Sequence, residues 1–394
     1  MKKKYLLIGE IYSTNLGDQL IAQCVGWAID EKYNNVSLDM IDMSGRIPGG
    51  DYRIPVNLSD YITLIKFILR YGFRLIPGNW SKNKFFFNFK RYLKALLLLN
   101  DKLSSNSYDA VIFVGGALFQ NYFAQLLYCM CDYISDFCEN IVFHACGIGP
   151  LNHRSIKCLN DFVLNPSVKI ISLRDGYDYF ASHLSDEHKK IIKSFDTALN
   201  ASRIFKTNSQ KKGGVGLGIV DDPRLFLLQM YIAKTLYDRN IPFKLFTTGA
   251  VCDYQAGLAI IDLLSKNHEF DAILLERPDC VQQLIDDISS FECIISFRMH
   301  SLVIASSFGI PFTGIAYDQK VKEFMDKLDM DSYCFDIPND LEADLQAFST
   351  NIVSNRCVNF DSETISLVDK LGNQSINDLL YEINYCFCNN AGGI

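Results

Sequence analysis

The segment CIISFRMHSLVIASSFGIPFTGIA, Cys293–Ala316, contains the pattern that decides the fold. It opens with the apolar run Cys293–Phe297, continues into the helical run Leu302–Phe308, and ends with a second apolar run, Phe312–Ala316. The turn Gly309-Ile310-Pro311 separates the helical run from the second apolar run. Short apolar runs alternating with helical segments are typical of parallel strands joined by crossover helices. The segment therefore predicts one strand–helix–strand unit of an α/β fold.

The same alternation extends along most of the chain and predicts two doubly wound, Rossmann-like domains facing a cleft. A polar stretch at Ser202–Gly214 is interpreted as the linker between them. The expected domains are residues 1–205 and 206–340, with helices at 341–394 packing on or between them. The further predicted strands are Tyr5–Gly9, Val36–Ile41, Ala110–Gly115, Ile141–Ala145, Lys169–Leu173, Val215–Val220, Phe243–Thr247 and Ala272–Leu275.

The composition is that of a globular enzyme. The 394 residues are 49% hydrophobic and 21% charged, and the net charge of -7 disfavours a general nucleic-acid binder. No apolar stretch approaches the length of a membrane-spanning helix, so we do not expect an integral membrane protein. We expect a cytoplasmic protein because its cysteines are typical of reduced thiols. The 13 cysteines show no paired zinc spacing and are interpreted as reduced core thiols, so no metal site is predicted.

Three glycine turns follow predicted strands, at the ends where doubly wound sheets bind ligands. The first, Asn15-Leu16-Gly17-Asp18, opens a helical segment and is suited to holding a phosphate or carboxylate on exposed N–H groups. The alternative is an ordinary turn in which Asp18 caps the helix. Gly115-Gly116 and Gly147-Ile148-Gly149-Pro150 are equally compatible with a ligand or with tight turns.

Charged and titratable side chains also stand at strand ends. Arg298 and His300 end a buried strand two residues apart, so they share one face if the strand persists, and a core role is disfavoured. Arg174 follows another predicted strand and is either a ligand-binding cation or half of an ion pair with Asp175. His144 is either a core imidazole or a site residue, and Lys320 faces either a phosphate or solvent.

Taken in order, these segments resemble the polysaccharide pyruvyltransferase family. The resemblance rests on seven motifs between about residues 5 and 325, none of them specific alone. They are Asn15/Gly17/Asp18, Gly115/Gly116, Gly147–Pro150, Arg174/Asp175, Arg298/His300, Gly309/Pro311 and Tyr317/Asp318/Lys320.

The resemblance implies a fold similar to that of B-type glycosyltransferases and a surface-polysaccharide enzyme that moves the pyruvyl group of phosphoenolpyruvate onto sugar hydroxyls as a ketal. The acceptor would be a sugar or a lipid-linked oligosaccharide, and no cofactor is expected. Arg298, Arg174 and Lys320 supply cations for the carboxylate and phosphate of the donor. For proton transfer His300 is the first candidate and His144 the second. The alternatives are a glycosyltransferase that uses a nucleotide sugar and a catalytically idle sugar-binding protein.

The segment Tyr61–Asn100 combines eight Lys or Arg residues with many aromatic and leucine side chains and contains no Asp or Glu. Its formal charge is therefore +8, and the remaining residues sum to -15. Such a mixture suits an anionic membrane surface, where rings lie among the headgroups. The alternative is a helical hairpin whose apolar face packs on the N-terminal domain.

Overall fold

Each half of the chain builds its own parallel sheet. The computed structural model describes residues 2–48, 50–51, 58–75, 82–183, 190–207, 213–267, 273–338 and 340–388. The chain divides into unit 1, which comprises Met1–Ser13, Ile21–Thr197 and Gln374–Ile394, and unit 2, which comprises Thr14–Leu20 and Ala198–Asn373. Apart from the short segment Thr14–Leu20, the divisions fall at 197/198 and 373/374, where the sequence suggested 205/206 and 340/341. Residues 208–212 of the expected linker lie outside the described residues.

Unit 1 contains a six-stranded sheet in the order β2-β1-β5-β6-β7-β8, all parallel, and a small antiparallel pair, β3-β4. All five strands predicted here are present. The sixth, β8, was missed. The strands are β1 (Lys3–Gly9), β2 (Val36–Asp42), β3 (Arg46–Ile47), β4 (Gly50–Asp51), β5 (Ala110–Val114), β6 (Ile141–Cys146), β7 (Val168–Leu173) and β8 (Lys190–Lys193).

Aromatic side chains fill the core of unit 1. Strands covered on both faces can be apolar throughout, so both faces of this sheet can contribute to the core. The rings of Phe113 and Phe143 stack with centroids 4.5 Å apart, and Phe119 and Phe162 pack around them. The helices are α1 (Leu16–Lys32), α2 (Leu58–Leu75), α3 (Lys82–Ser105), α4 (Ala124–Ile134), α5 (His153–Val163) and α6 (Tyr177–His183).

Unit 2 also contains a six-stranded parallel sheet, in the order β11-β10-β9-β12-β13-β14. Strand order therefore reverses between β9 and β12. Its strands are β9 (Val215–Gly218), β10 (Phe243–Phe246), β11 (Ile273–Leu274), β12 (Cys293–Ser296), β13 (Phe312–Ala316) and β14 (Cys334–Asp336). The helices are α7 (Ala201–Ile204), α8 (Phe226–Asp238), α9 (Val251–Asn267), α10 (Val281–Ser289), α11 (Met299–Ser307), α12 (Gln319–Lys327), α13 (Leu341–Ser354) and α14 (Ser362–Cys388), whose last part joins unit 1.

The basic segment Tyr61–Asn100 is largely a packed hairpin. Phe67, Tyr92 and most of Leu96–Leu99 belong to the core of unit 1, so the expectation that these side chains lie at a membrane is wrong. Ile68 and Leu69 are exposed, and Phe89 packs against the core from a partly buried position. The side chains of Arg74, Lys82, Lys84 and Phe85–Phe87, and all of Trp80, lie outside the described residues.

The charge of this segment is also reduced locally. Arg70 on α2 forms ion pairs with Asp132 and Asp136, at 2.8 and 2.6 Å. Lys94 is only 7% exposed, whereas Lys66 and Lys90 are exposed. Among the described helices, none has the length and apolar character needed to cross a membrane.

Candidate functional site

The strongest candidate site of unit 2 lies where strand order reverses. Strands β9 and β12 are neighbours, with Gly218 opposite Ser296, and the chain beyond each strand runs off the same edge of the sheet. In open α/β sheets, ligands bind at this edge, beside such a reversal. Arg298 and His300 follow β12, and Asp221 and Asp222 follow β9.

The turn from β12 into α11 is held by two serines. Ser296 Oγ and Ser301 Oγ are 2.6 Å apart, and Ser296 Oγ accepts a hydrogen bond from the backbone N–H of Arg298. Ser301 Oγ donates to the carbonyl of Arg298 at 2.6 Å. Arg298 is the N-cap residue of α11, and its side chain makes no cap hydrogen bond. The turn therefore fixes the backbone at Arg298 and leaves the positive end of a nine-residue helix without a side-chain cap.

Arg298 is oriented by a buried carboxylate that the sequence did not indicate. Its Nε and Nη2 donate to the two oxygens of Asp253, at 2.9 and 2.6 Å. Asp253 is fully buried in the first turn of α9 and also accepts the backbone N–H of Asp221. Burial acts to lower the pKa of Arg298, but the Asp253 carboxylate outweighs it and the pKa is raised. The guanidinium is therefore permanently charged and held in one orientation.

His300 lies directly against the first glycine turn. A Cβ atom placed on Gly17 would be 2.1 Å from His300 Nδ1, so the imidazole occupies the space that a side chain at position 17 would need. In the same turn Asn15 Nδ2 donates to Asp18 Oδ2 at 2.9 Å, and the N–H of Leu16 donates to the carbonyl of Thr248. Two motifs nearly 300 residues apart in sequence thus meet within unit 2.

Other cations border the same edge of the sheet. Arg224, after β9, binds both oxygens of Asp222, and Arg277, after β11, lies 3.2 Å from Asp279 and donates to the carbonyl of Gly249. Lys320, in the first turn of α12, is partly exposed and makes no ion pair within the described residues. Of these three cations, only Lys320 was predicted from the sequence.

The predicted residues of unit 1 form a second group. Gly115 and Gly116 follow β5 with positive φ angles of 51° and 64°, which glycine adopts without strain. Gly147, after β6, donates its N–H to the carbonyl of Gly116 at 2.7 Å. A Cβ on Gly147 would be 2.7 Å from Asp175 Oδ2 and 3.2 Å from Arg174 Nε. The structure therefore brings these three glycines together with Arg174.

Arg174 is buried, and its charge is matched. Its side chain is 4% exposed, its Nε lies 3.3 Å from Asp175 Oδ2, and its Nη1 donates to Asp196. Asp175 also accepts the backbone N–H of Ile148 at 2.6 Å. Arg174 consequently joins the ends of β7 and β8 to the glycine turn that contains Ile148.

His144 lies inside β6 and is completely buried. Its Nδ1 is 2.9 Å from Glu382 Oε2 and its Nε2 is 2.9 Å from Thr197 Oγ1. Thr197 in turn bonds Ser375, and Glu382 and Ser375 both belong to α14. Burial raises the pKa of Glu382, and His144 only partly opposes this effect. Both ring nitrogens therefore serve the attachment of the C-terminal helix to unit 1.

Neither group resembles a metal centre. Across the parts of the chain that the structure describes, no three His, Cys, Asp or Glu side chains are placed to hold one metal ion. The described cysteines are all free thiols, and most of them are buried.

Comparison with protein families gives one match. The model of the family described as polysaccharide pyruvyl transferase matches residues 15–319, which is most of the chain and includes every predicted site residue except Lys320. A search of curated proteins found no match to the sequence.

Solved structures share the fold. The α,α-trehalose 6-phosphate synthase of Burkholderia multivorans is similar over 99% of this chain and 100% of its own, with a TM-score of 0.58 and 9% identity. A putative UDP-N-acetylglucosamine 2-epimerase from Listeria monocytogenes matches over 98% and 97%, with a TM-score of 0.58 and 10% identity. The UDP-GlcNAc 2-epimerase of Methanocaldococcus jannaschii matches over 96% and 99%, with a TM-score of 0.55 and 12% identity. The predicted architecture of two α/β domains, as in B-type glycosyltransferases, is confirmed.

Proposed function

The chain belongs to the polysaccharide pyruvyl transferase family, and we propose that it transfers the pyruvyl group of phosphoenolpyruvate to two hydroxyls of a sugar, forming a ketal. One observation carries the proposal. The imidazole of His300 lies against the backbone of Gly17. His300 is two residues after Arg298, whose guanidinium Asp253 holds in place. A titratable group beside a fixed, fork-shaped cation fits a donor with a carboxylate, a phosphate and a carbon that must be protonated.

The donor's anionic groups fit the start of α11. Asp253 accepts from Nε and Nη2 of Arg298, and within the described residues Nη1 makes no further hydrogen bond, so we assign its two N–H groups to the donor. The uncapped N-terminus of α11 adds partial positive charge at the same place. Lys320 follows the neighbouring strand β13 and adds a cation at this edge. We assign the phosphate and carboxylate of the donor to these groups.

His300 is the proposed acid and base. Protonation of the methylene carbon of phosphoenolpyruvate turns it into a methyl group and makes the adjacent carbon electrophilic. One sugar hydroxyl then adds there and gives up its proton. The second hydroxyl displaces phosphate, which leaves with the second proton. His300 is preferred to His144 for the proton transfers because both nitrogens of His144 already bond buried side chains.

The glycine turns of both groups remain proposed substrate contacts. Gly17 and its neighbours Asn15 and Asp18 border the imidazole in unit 2. In unit 1, Gly115, Gly116 and Gly147 meet beside Arg174, and the side chains of Ile21 and Asp175 take the space that a Cβ would need at Gly115 and Gly147. The proposal includes no cofactor and gives no step to a metal.

We also propose that the enzyme meets a lipid-linked acceptor at the cytoplasmic face of a membrane, through α2. Ile62, Ile65 and Leu69 lie three and four residues apart on this helix and are 48%, 54% and 79% exposed. Such spacing places them on one helix face, and the exposed Lys66 adds positive charge beside it. Apolar side chains exposed next to basic ones favour the interface of an anionic bilayer.

The function is tested by ligand titration followed by turnover. Phosphoenolpyruvate should raise the melting temperature of the protein and nucleotide sugars should not, because a ligand stabilises the state that binds it. Incubation with phosphoenolpyruvate and a lipid-linked oligosaccharide should then yield a pyruvylated product by mass spectrometry. His300→Ala should lower turnover roughly 10²–10⁴-fold and keep the melting shift.

The exposed histidine His153, at the start of α5, supplies a matched control: His153→Ala should leave turnover unchanged. Stabilisation by a nucleotide sugar but not by phosphoenolpyruvate would replace the proposal with a glycosyltransferase. Stabilisation by neither, with no product, would favour a catalytically idle sugar-binding protein.

A further inference from the structure

A cavity of about 650 Å³ opens within unit 2 beside the candidate donor position. It is bounded by the segment after β9, the end of β13, and the segment that joins β14 to α13. Its volume lies within the roughly 300–1,000 Å³ typical of small-ligand sites. Tyr317 in its lining belongs to one of the seven motifs, but none of the residues selected from the sequence as site residues lines it.

The lining combines polar and apolar surface in similar amounts. Leu227, Ile337 and Leu341 contribute aliphatic surface, and Tyr317 contributes an aromatic ring. Arg224 and Asp340 add charged groups, and both are exposed. Sugar rings bury their C–H faces against aliphatic and aromatic surfaces, while planar charged groups bond their hydroxyls. Polar groups placed among apolar surface fix a ligand's orientation.

The charge of the cavity argues against an anionic occupant. Arg224 is bonded through two nitrogens to both oxygens of Asp222, so its positive charge is matched. Asp340 adds a negative charge, and its side chain makes no cap hydrogen bond to α13. The balance around the cavity is therefore neutral to negative. A phosphate or carboxylate would gain little there, whereas a neutral polyol would find both donors and acceptors.

The cavity adjoins the donor position through neighbouring strands. Ser296 of β12 is opposite Gly314 of β13, so Arg298 and Ala316 leave adjacent strands at the same level. Adjacent strands lie about 4.8 Å apart. Tyr317, the next residue, lines the cavity and is close enough to Arg298 for that cation to oppose the rise that burial causes in the tyrosine pKa.

We propose that this cavity is the subsite for a sugar ring of the acceptor, held beside the pyruvyl donor. The proposal rests on the proposed function for the identity of the donor. The sugar's C–H face lies against Tyr317 and the leucines, and Asp340 accepts a hydrogen bond from one of its hydroxyls. A hydroxyl at the Tyr317 side then points toward the reacting carbon.

The test is a binding measurement that does not require turnover. Ligand-detected NMR compares binding to the wild-type protein with binding to Leu227→Trp. The ligands are the neutral disaccharides lactose, cellobiose and chitobiose, and uridine. Leu227 is 43% exposed, so a larger ring there fills the cavity without disturbing the core. Leu258→Trp is the matched control, since Leu258 is 48% exposed in α9 and does not line the cavity.

We expect at least one disaccharide to bind the wild type and Leu258→Trp and to lose affinity tenfold or more in Leu227→Trp. Asp340→Asn, an exposed change that removes no helix cap, should weaken the same disaccharide roughly tenfold. Three results would overturn the subsite: disaccharide binding that survives Leu227→Trp, no disaccharide binding at all, or loss of uridine binding instead. Phosphoenolpyruvate binding is followed in parallel: its absence would refute the proposed donor and leave the sugar result standing.

Discussion

Asp253→Asn tests whether one buried carboxylate orients the candidate donor site. Asp253 is fully buried and accepts hydrogen bonds from Nε and Nη2 of Arg298, from the backbone N–H of Asp221 and from the thiol of Cys252. Asparagine has nearly the same volume, but its amide nitrogen replaces an acceptor oxygen and faces a donor. The substitution therefore removes the counter-charge and part of the bonding of Arg298 without creating a cavity.

The expected loss of stability follows from the exposure of the two partners. Removing one partner of a fully buried ion pair costs about 3–5 kcal/mol. The side chain of Arg298 is 29% exposed, so water can solvate part of the guanidinium once the pair is broken. We therefore expect a smaller loss, about 2–3 kcal/mol, which corresponds to a melting temperature lower by about 5–10 °C for a domain of this size.

Two measurements check this prediction. Calorimetry gives the melting temperature, and titration calorimetry gives the dissociation constant of phosphoenolpyruvate, which should rise at least tenfold because the fork is no longer fixed. The control is Asp262→Asn on the same helix, where Asp262 pairs with Lys266 on the surface and little change is expected. A variant that melts like the control and binds the donor like the wild type would refute the assigned role of Asp253.

Three further predictions concern other parts of the molecule. Gly17→Ala should lower turnover at least tenfold with the fold intact, because the new Cβ would lie 2.1 Å from the present position of His300 Nδ1 and displace the imidazole. Circular dichroism checks the fold and kinetics check the turnover. Unchanged turnover would contradict the prediction. Burial raises the pKa of Glu382 beside His144, so the folded state favours the protonated acid, and stability should fall as pH rises above the ordinary value of 4.5. Glu382→Gln should flatten that fall in denaturant titrations at pH 5 to 8, and equal slopes would contradict it. Wild-type protein should sediment with anionic but not neutral vesicles at low salt, and Leu69→Asp should reduce this binding; no sedimentation of the wild type would refute the membrane proposal.

The strands that the sequence predicted are those whose composition is unambiguous. Ala110–Val114 and Cys293–Ser296 are fully buried runs of apolar and β-branched residues, and both were found within one residue of their ends. The edge strands β8 and β14 were missed, because the first begins and ends with lysine and the second has only three residues. An edge strand pairs on one side only, so its sequence is less constrained to be apolar.

The motifs of the candidate site were predictable from the sequence, but the residues that bond to their side chains were not. Arg298 and His300 were recognisable because polar, titratable side chains at a strand end are unusual in a core. Asp253 was not, since it lies in the first turn of a helix 45 residues away in sequence, with no spacing that links it to Arg298. Glu382 is 238 residues from His144, and nothing local connects a C-terminal helix to a strand in the first half of the chain.

These unseen partners change how the proposed donor site would bind an anion. Arg298, Arg224 and Arg277 each face an aspartate, so arginines at this edge of the sheet contribute little net charge. Positive charge that no aspartate matches comes from the start of α11 and from Lys320, which makes no ion pair in the described part of the chain. In the proposed site Arg298 would act through directed hydrogen bonds rather than through long-range attraction, because Asp253 cancels its charge at a distance while fixing its geometry. Such a site selects a ligand by the placement of its oxygens, which suits a donor that must be protonated at one particular carbon.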